Sequence, residues 1–157
     1  MKPFATATAA FVLMFAGIPL ASAQSLTEAW RASGFMTPES VSYDPSRTPL
    51  YVCNINSPDM SANGQGYITQ LGLDGKVMKE KFGAGLNAPK GTFVKDGTLY
   101  VAGVEEVVEI DLASGAVKTR HAVPGATFVN DIAVADDGTI YATETMQGAI
   151  YTISRGT

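Results

Sequence analysis

The chain has 157 residues, 46% of them apolar, a single cysteine and a formal net charge of −4. That is enough apolar material for one globular domain with a sizeable core. An acidic chain with no basic cluster repels nucleic acid, and one cysteine excludes a framework of internal disulfides.

Residues 1–23 read as a signal peptide. Lys2 supplies a positive start, residues 11–20 (FVLMFAGIPL) form an apolar stretch too short to span a bilayer, and Ala21-Ser22-Ala23 is the small-x-small pattern at which such leaders are cut. Cleavage there makes Gln24 the first mature residue and the protein periplasmic or secreted, with no membrane contact afterwards; an uncleaved anchor is the alternative. In residues 24–35 (QSLTEAWRASGF), Leu26, Ala29 and Trp30 fall at one-turn spacing. The spacing predicts a short amphipathic turn capping the fold, with Trp30 as a packing anchor.

From residue 37 onward the chain repeats itself. Residues 128–153 hold three short apolar runs, rich in β-branched and aromatic residues, separated by Asp136-Asp137-Gly138 and Met146-Gln147-Gly148. Runs of that length and composition between turn residues predict a three-stranded antiparallel meander. The same unit recurs over residues 37–52 and 87–101, each time with an apolar-Tyr pair after a turn: Leu50-Tyr51, Leu99-Tyr100 and Ile140-Tyr141. The intervals are close to the about 40–45 residues of a four-stranded propeller blade. The first is lengthened by residues 56–66 (NSPDMSANGQG), which read as an inserted loop.

The expected fold is therefore all-β: β-propeller blades over about 37–82, 87–123 and 128–157, within one partial domain, 24–157. The outer strand of each complete blade is its most polar, as at residues 76–82, and the third blade lacks one. Propellers close with about four to eight blades, so three leave apolar faces open. A second copy completing the ring, a longer parent protein or a truncated chain would each account for that.

Cys53 lies within the predicted strand after Leu50-Tyr51-Val52 and reads as a small buried apolar side chain. A nucleophilic role would need a base beside it, and nothing in the pattern brings His121, the one histidine, there. Glu39, Lys90 and Asn130 open the three inner strands at equivalent distances before the apolar-Tyr pairs, with Asp131 adjoining. In a propeller these positions converge on the mouth of the central channel. The oxygens of Glu39 and Asn130 suit a hard divalent cation such as calcium. Lys90 would repel a cation held close by, and is suited to pairing with Glu39 or holding an anionic substrate. The plainer reading makes all three ordinary polar residues at strand starts.

Pro38-Glu39-Ser40-Val41, Asn87-Ala88-Pro89-Lys90-Gly91, Asn130-Asp131-Ile132 and Asp137-Gly138-Thr139-Ile140-Tyr141 resemble the gluconolactonase / senescence-marker-protein family, in particular its exported bacterial members. The resemblance implies half of a six-bladed propeller, a divalent metal, often calcium, in the channel, and hydrolysis of lactone or ester bonds in sugar-like substrates. It implies Glu39 as metal ligand and Asn130, with Asp131 beside it, as substrate contacts; the family's base comes from later blades, so no catalytic residue is assigned. Two rival readings stand: a non-catalytic propeller module binding a ligand or protein, and a truncated chain without independent activity.

Overall fold

The computed structural model describes residues 25–154; the expected leader lies outside the described residues. Among them there are eleven strands and no helix. The first antiparallel sheet runs β1 (Pro38–Tyr43), β2 (Leu50–Asn54), β3 (Gly66–Leu71), β4 (Val77–Leu86). The second runs β5 (Thr92–Lys95), β6 (Thr98–Ala102), β7 (Glu106–Asp111), β8 (Val117–Ala122), and the third β9 (Val129–Val134), β10 (Ile140–Glu144), β11 (Ala149–Ile153). Sequence neighbours pair throughout, so each sheet is a meander, and the third has three strands among the described residues.

Turn chemistry sets the hairpins. Lys95 pairs with Thr98 across Asp96-Gly97, both at positive φ (46° and 73°), as a two-residue type I′ turn demands. Asp44 accepts hydrogen bonds from Ser46 N (2.9 Å), Ser46 Oγ (2.7 Å) and Arg47 Nη1 (3.1 Å). Asp111 does the same for Ala113 N, Ser114 N and Ser114 Oγ at 2.8–3.0 Å. Each carboxylate occupies turn amides that no strand ladder reaches.

β1 lies against β5, and β5 against β9, so the three first strands stand side by side inside a fan. Two apolar layers hold the fan together. Tyr51, Cys53, Ile68 and Phe82 of the first sheet pack on Leu99, Val101, Val108 and Ile110 of the second. Tyr100, Ala102 and Val107 of the second pack on Ile132, Val134, Ile140 and Ala142 of the third. Each fully buried aliphatic or aromatic side chain contributes about 1.5–3 kcal/mol, so these layers are the main cohesion between sheets. The apolar-Tyr pair is the device: strand alternation points Leu99 or Ile140 back to the preceding sheet and Tyr51 or Tyr100 forward to the next.

Two local expectations change. Residues 25–36 form no amphipathic turn. Leu26 is fully exposed, and Trp30 instead donates from Nε1 to Leu73 O (2.8 Å) with its ring against Gly75. Met36 N donates to Asn54 Oδ1 (2.9 Å), and Met36 O and Thr37 O accept from Asn56 N and Ile55 N. Backbone groups engaged sideways with the first sheet are not available for helical bonds. β4 also runs to Leu86 rather than ending near Phe82, because Gly83 lets it pass Ile110, whose Cδ1 would stand 2.8 Å from an added Cβ.

Candidate functional site

Each first strand carries a β-bulge at the same place. Pro38 pairs with Asn54 and Val41 with Val52, so Glu39 and Ser40 together oppose Cys53. Lys90 N donates to Ala102 O (2.8 Å) while Ala102 N donates to Gly91 O (2.9 Å), so Lys90 and Gly91 share one partner. Ile132 pairs with Ala142 and Val129 with Glu144, leaving Asn130 and Asp131 opposite Thr143, whose Oγ1 accepts from Asp131 N (3.0 Å). The partners Cys53, Ala102 and Thr143 stand at the same offset from the three apolar-Tyr pairs. A bulge turns side chains out of strict alternation and re-aims them. Glu39, Lys90 and Asn130 are thus equivalent positions, the leading residue of each bulge.

Five of the six bulge residues (Glu39, Ser40, Gly91, Asn130 and Asp131) line a cavity of about 190 Å³. The strands around it are tied laterally: Ser40 Oγ donates to Lys90 O (2.6 Å), Ser42 Oγ to Thr92 O (3.0 Å), and Gly91 N to Asn130 O (2.8 Å). Gly91 is needed there. A Cβ would collide with the Asp131 side chain and sit 2.7 Å from Asn130 O.

The sixth bulge residue turns away. Lys90 is 1% exposed, donates from Nζ to Ala88 O (3.1 Å) and lies 4.4 Å from the centre of the Phe128 ring. Burial lowers its pKa, with Glu39 among the groups opposing that shift. Its ammonium is held by a carbonyl and an aromatic face and does not line the cavity, and no ion pair joins it to Glu39 among the described residues. Burial raises the Glu39 carboxyl above its ordinary range; Asp131 adds to the rise and Lys90 offsets part of it.

The cavity wall has a support that the sequence pattern did not single out. Glu144 is buried and accepts from Thr127 N (3.0 Å) and Phe128 N (2.7 Å). Burial pushes its carboxyl up, but these backbone donors, with that of Gln147, outweigh it and hold the group below the usual range. Glu144 thereby fixes the approach to β9, including the ring over Lys90. Ser40 and Gly91 were missed too, although both adjoin residues singled out from sequence. Cys53 is buried in β2 with its thiol pushed up by burial, and His121 Nε2 lies 2.9 Å from Glu109 Oε1. The histidine has its own partner, and the thiol stays a core group.

Three first strands on the inside of a fan, each in its own antiparallel meander, are the architecture of propeller blades. These are β-propeller blades. No family model and no curated protein matches the chain. Among solved structures it is similar to a chain of a nidogen/laminin complex (15% identity, 78% of this chain and 44% of that one, TM-score 0.57). It is similar also to a gluconolactonase from Xanthomonas campestris described as important in glucose secondary metabolic pathways (18%, 78% and 39%, 0.55). A computationally designed protein is a third (10%, 76% and 66%, 0.53). At these identities the likeness establishes the fold, and the chain spans 39–66% of the length of these propeller-like neighbours.

Proposed function

We propose that this chain is the N-terminal half of an exported propeller hydrolase acting on lactone or ester bonds of a small sugar-like substrate at the Glu39–Asn130–Asp131 cavity. The observation that carries this reading is the triple bulge, which gathers Glu39, Asn130 and Asp131 around one small cavity. The distant gluconolactonase neighbour supports it.

A divalent ion, calcium foremost, fits the donors in kind. Glu39, Asp131 and the Asn130 amide each offer an oxygen ligand, and the cation would offset the burial, and the lesser repulsion from Asp131, that raise the Glu39 carboxyl. Their number is short of the about six to eight oxygens calcium takes, and no group of three His, Cys, Asp or Glu lies within ligand reach among the described residues. Further oxygens would come from water, substrate or other blades. Once bound, such an ion polarises a carbonyl as a Lewis acid. Glu39 and Asp131 would hold it, and Asn130 would orient the substrate by its amide. Lys90 interacts electrostatically with Glu39, and its positive charge would favour a nearby carbonyl oxygen gaining negative charge.

Calcium should raise the melting temperature of the wild-type protein by several degrees and leave Glu39→Gln unmoved. A folded wild-type sample indifferent to calcium would overturn the metal site and leave a non-catalytic binding module as the reading.

A further inference from the structure

Asn63-Gly64 is the one Asn-Gly step in the sequence, and it lies in the loop that lengthens the first blade. The loop closes on itself: Asn56 Nδ2 donates to Gln65 O (2.9 Å), and Ser57 Oγ and Ser61 N donate to Asp59 Oδ1 (2.9 and 3.2 Å). It is a compact surface lobe whose ends lie close together. Asn63, Gly64 and Gln65 are exposed on it, and a Cβ added at Gly64 would meet nothing within 4 Å. The Asn63 carboxamide folds forward along its own backbone, its Oδ1 accepting from Gln65 N (2.9 Å) in an Asx turn. This lays the side-chain carbonyl carbon alongside the Gly64 peptide, and a residue without a side chain leaves that peptide nitrogen open to approach. The three Asp-Gly steps, Asp74-Gly75, Asp96-Gly97 and Asp137-Gly138, offer a carboxylate instead, whose negative charge resists attack.

The nitrogen is nevertheless restrained. Gly64 N donates to Asn87 Oδ1 (3.0 Å). Asn87 is anchored in turn: its Nδ2 donates to Glu106 Oε1 (3.1 Å), which also accepts from Arg120 Nη1 (2.6 Å), and its backbone carbonyl accepts from Val104 N (3.1 Å). To attack, the Gly64 nitrogen must turn onto the Asn63 carbonyl carbon, and the bond to Asn87 holds it elsewhere.

We propose that Asn63 is a deamidation site of the folded protein and that the Asn87 side chain restrains the reaction. Gly64 N attacks Asn63 Cγ; the new C–N bond closes a cyclic succinimide while the Cγ–Nδ2 bond breaks, and the side-chain nitrogen leaves as ammonia with the proton shed by Gly64 N. Water then opens either carbonyl of the ring, giving aspartate or isoaspartate. Both products carry a negative charge where the chain had a neutral amide, and isoaspartate also lengthens the backbone of a loop docked on the segment leading into the Lys90–Gly91 bulge. The inference is independent of any reaction at the cavity.

Incubation of the whole chain at mildly alkaline pH, followed by peptide mapping with mass spectrometry, should show aspartate and isoaspartate at residue 63 in excess over conversion at Asn54, Asn56, Asn87 and Asn130. Asn87→Ala should raise the rate about two- to tenfold, the equivalent of one net hydrogen bond. Asn56→Gly unties the base of the loop at a position already at positive φ (47°) and leaves the Gly64–Asn87 bond in place, so its rate should stay at the wild-type value. No conversion at residue 63 in the folded protein, an Asn87→Ala rate no higher than wild type, or an Asn56→Gly rate equal to that of Asn87→Ala would overturn the proposal. Should Asn87→Ala fail to fold, the wild-type chain still decides: the folded form should convert more slowly than the same chain in urea, and equal rates would remove the restraint.

Discussion

Glu39 is a carboxylate whose surroundings disfavour its charge. The folded chain holds this proton to higher pH than the unfolded one, so the associated stability is full below the ordinary value of 4.5 and is lost as pH rises through the raised value. In a chelating buffer, Glu39→Gln should therefore melt above wild type at neutral pH and together with it near pH 4. A gap independent of pH would assign the effect to packing instead of charge. Gly91 tests the same corner sterically. Since an added methyl meets Asn130 O and Asp131, Gly91→Ala should cost about 1–3 kcal/mol in a denaturant titration and weaken calcium's effect on melting. Unchanged stability would show that β5 and β9 can part without loss.

Among the elements, residues 25–36 depend on tertiary contact alone. Trp30 is their main hold, through one hydrogen bond and a ring stacked on Gly75. Trp30→Ala should lower stability by about 1–2 kcal/mol, less than a core tryptophan because the side chain is partly exposed. Hydrogen exchange should then speed up at Met36 and Asn56, whose amides bond across this junction, while β6 and β7 keep their protection. Equal acceleration throughout would mean that the segment is part of the cooperative core. The bulges belong to this scale as well. They lie beyond the reach of a pattern count, because an extra residue in a strand looks like a one-residue error in spacing until the hydrogen bonds are seen. The slightly unequal distances from Glu39, Lys90 and Asn130 to their apolar-Tyr pairs come from hairpin lengths, whereas the bulge is common to all three.

For the molecule as a whole, strands and their order were readable because each signal is local: two-residue alternation, Asp-Gly turns and an apolar-Tyr pair that recurs once per meander. That Glu39, Asn130 and Asp131 share a cavity was readable only at one remove, through the repeat that makes their positions equivalent. Lys90 shows where such reasoning stops. It occupies the equivalent backbone position, yet its side chain lies buried against Phe128, a choice made by the loop that Glu144 pins and by the close approach of Gly91 to β9. Trp30 teaches the same lesson, since its one-turn spacing with Leu26 lost to a carbonyl and a glycine more than forty residues away. Periodicity and turn residues act over a few neighbours, so they were enough to specify meanders and the line of polar residues along their inner ends. Where each side chain finally points was settled by groups distant in sequence, because burial and hydrogen bonding are satisfied by whatever the fold brings within a few ångströms.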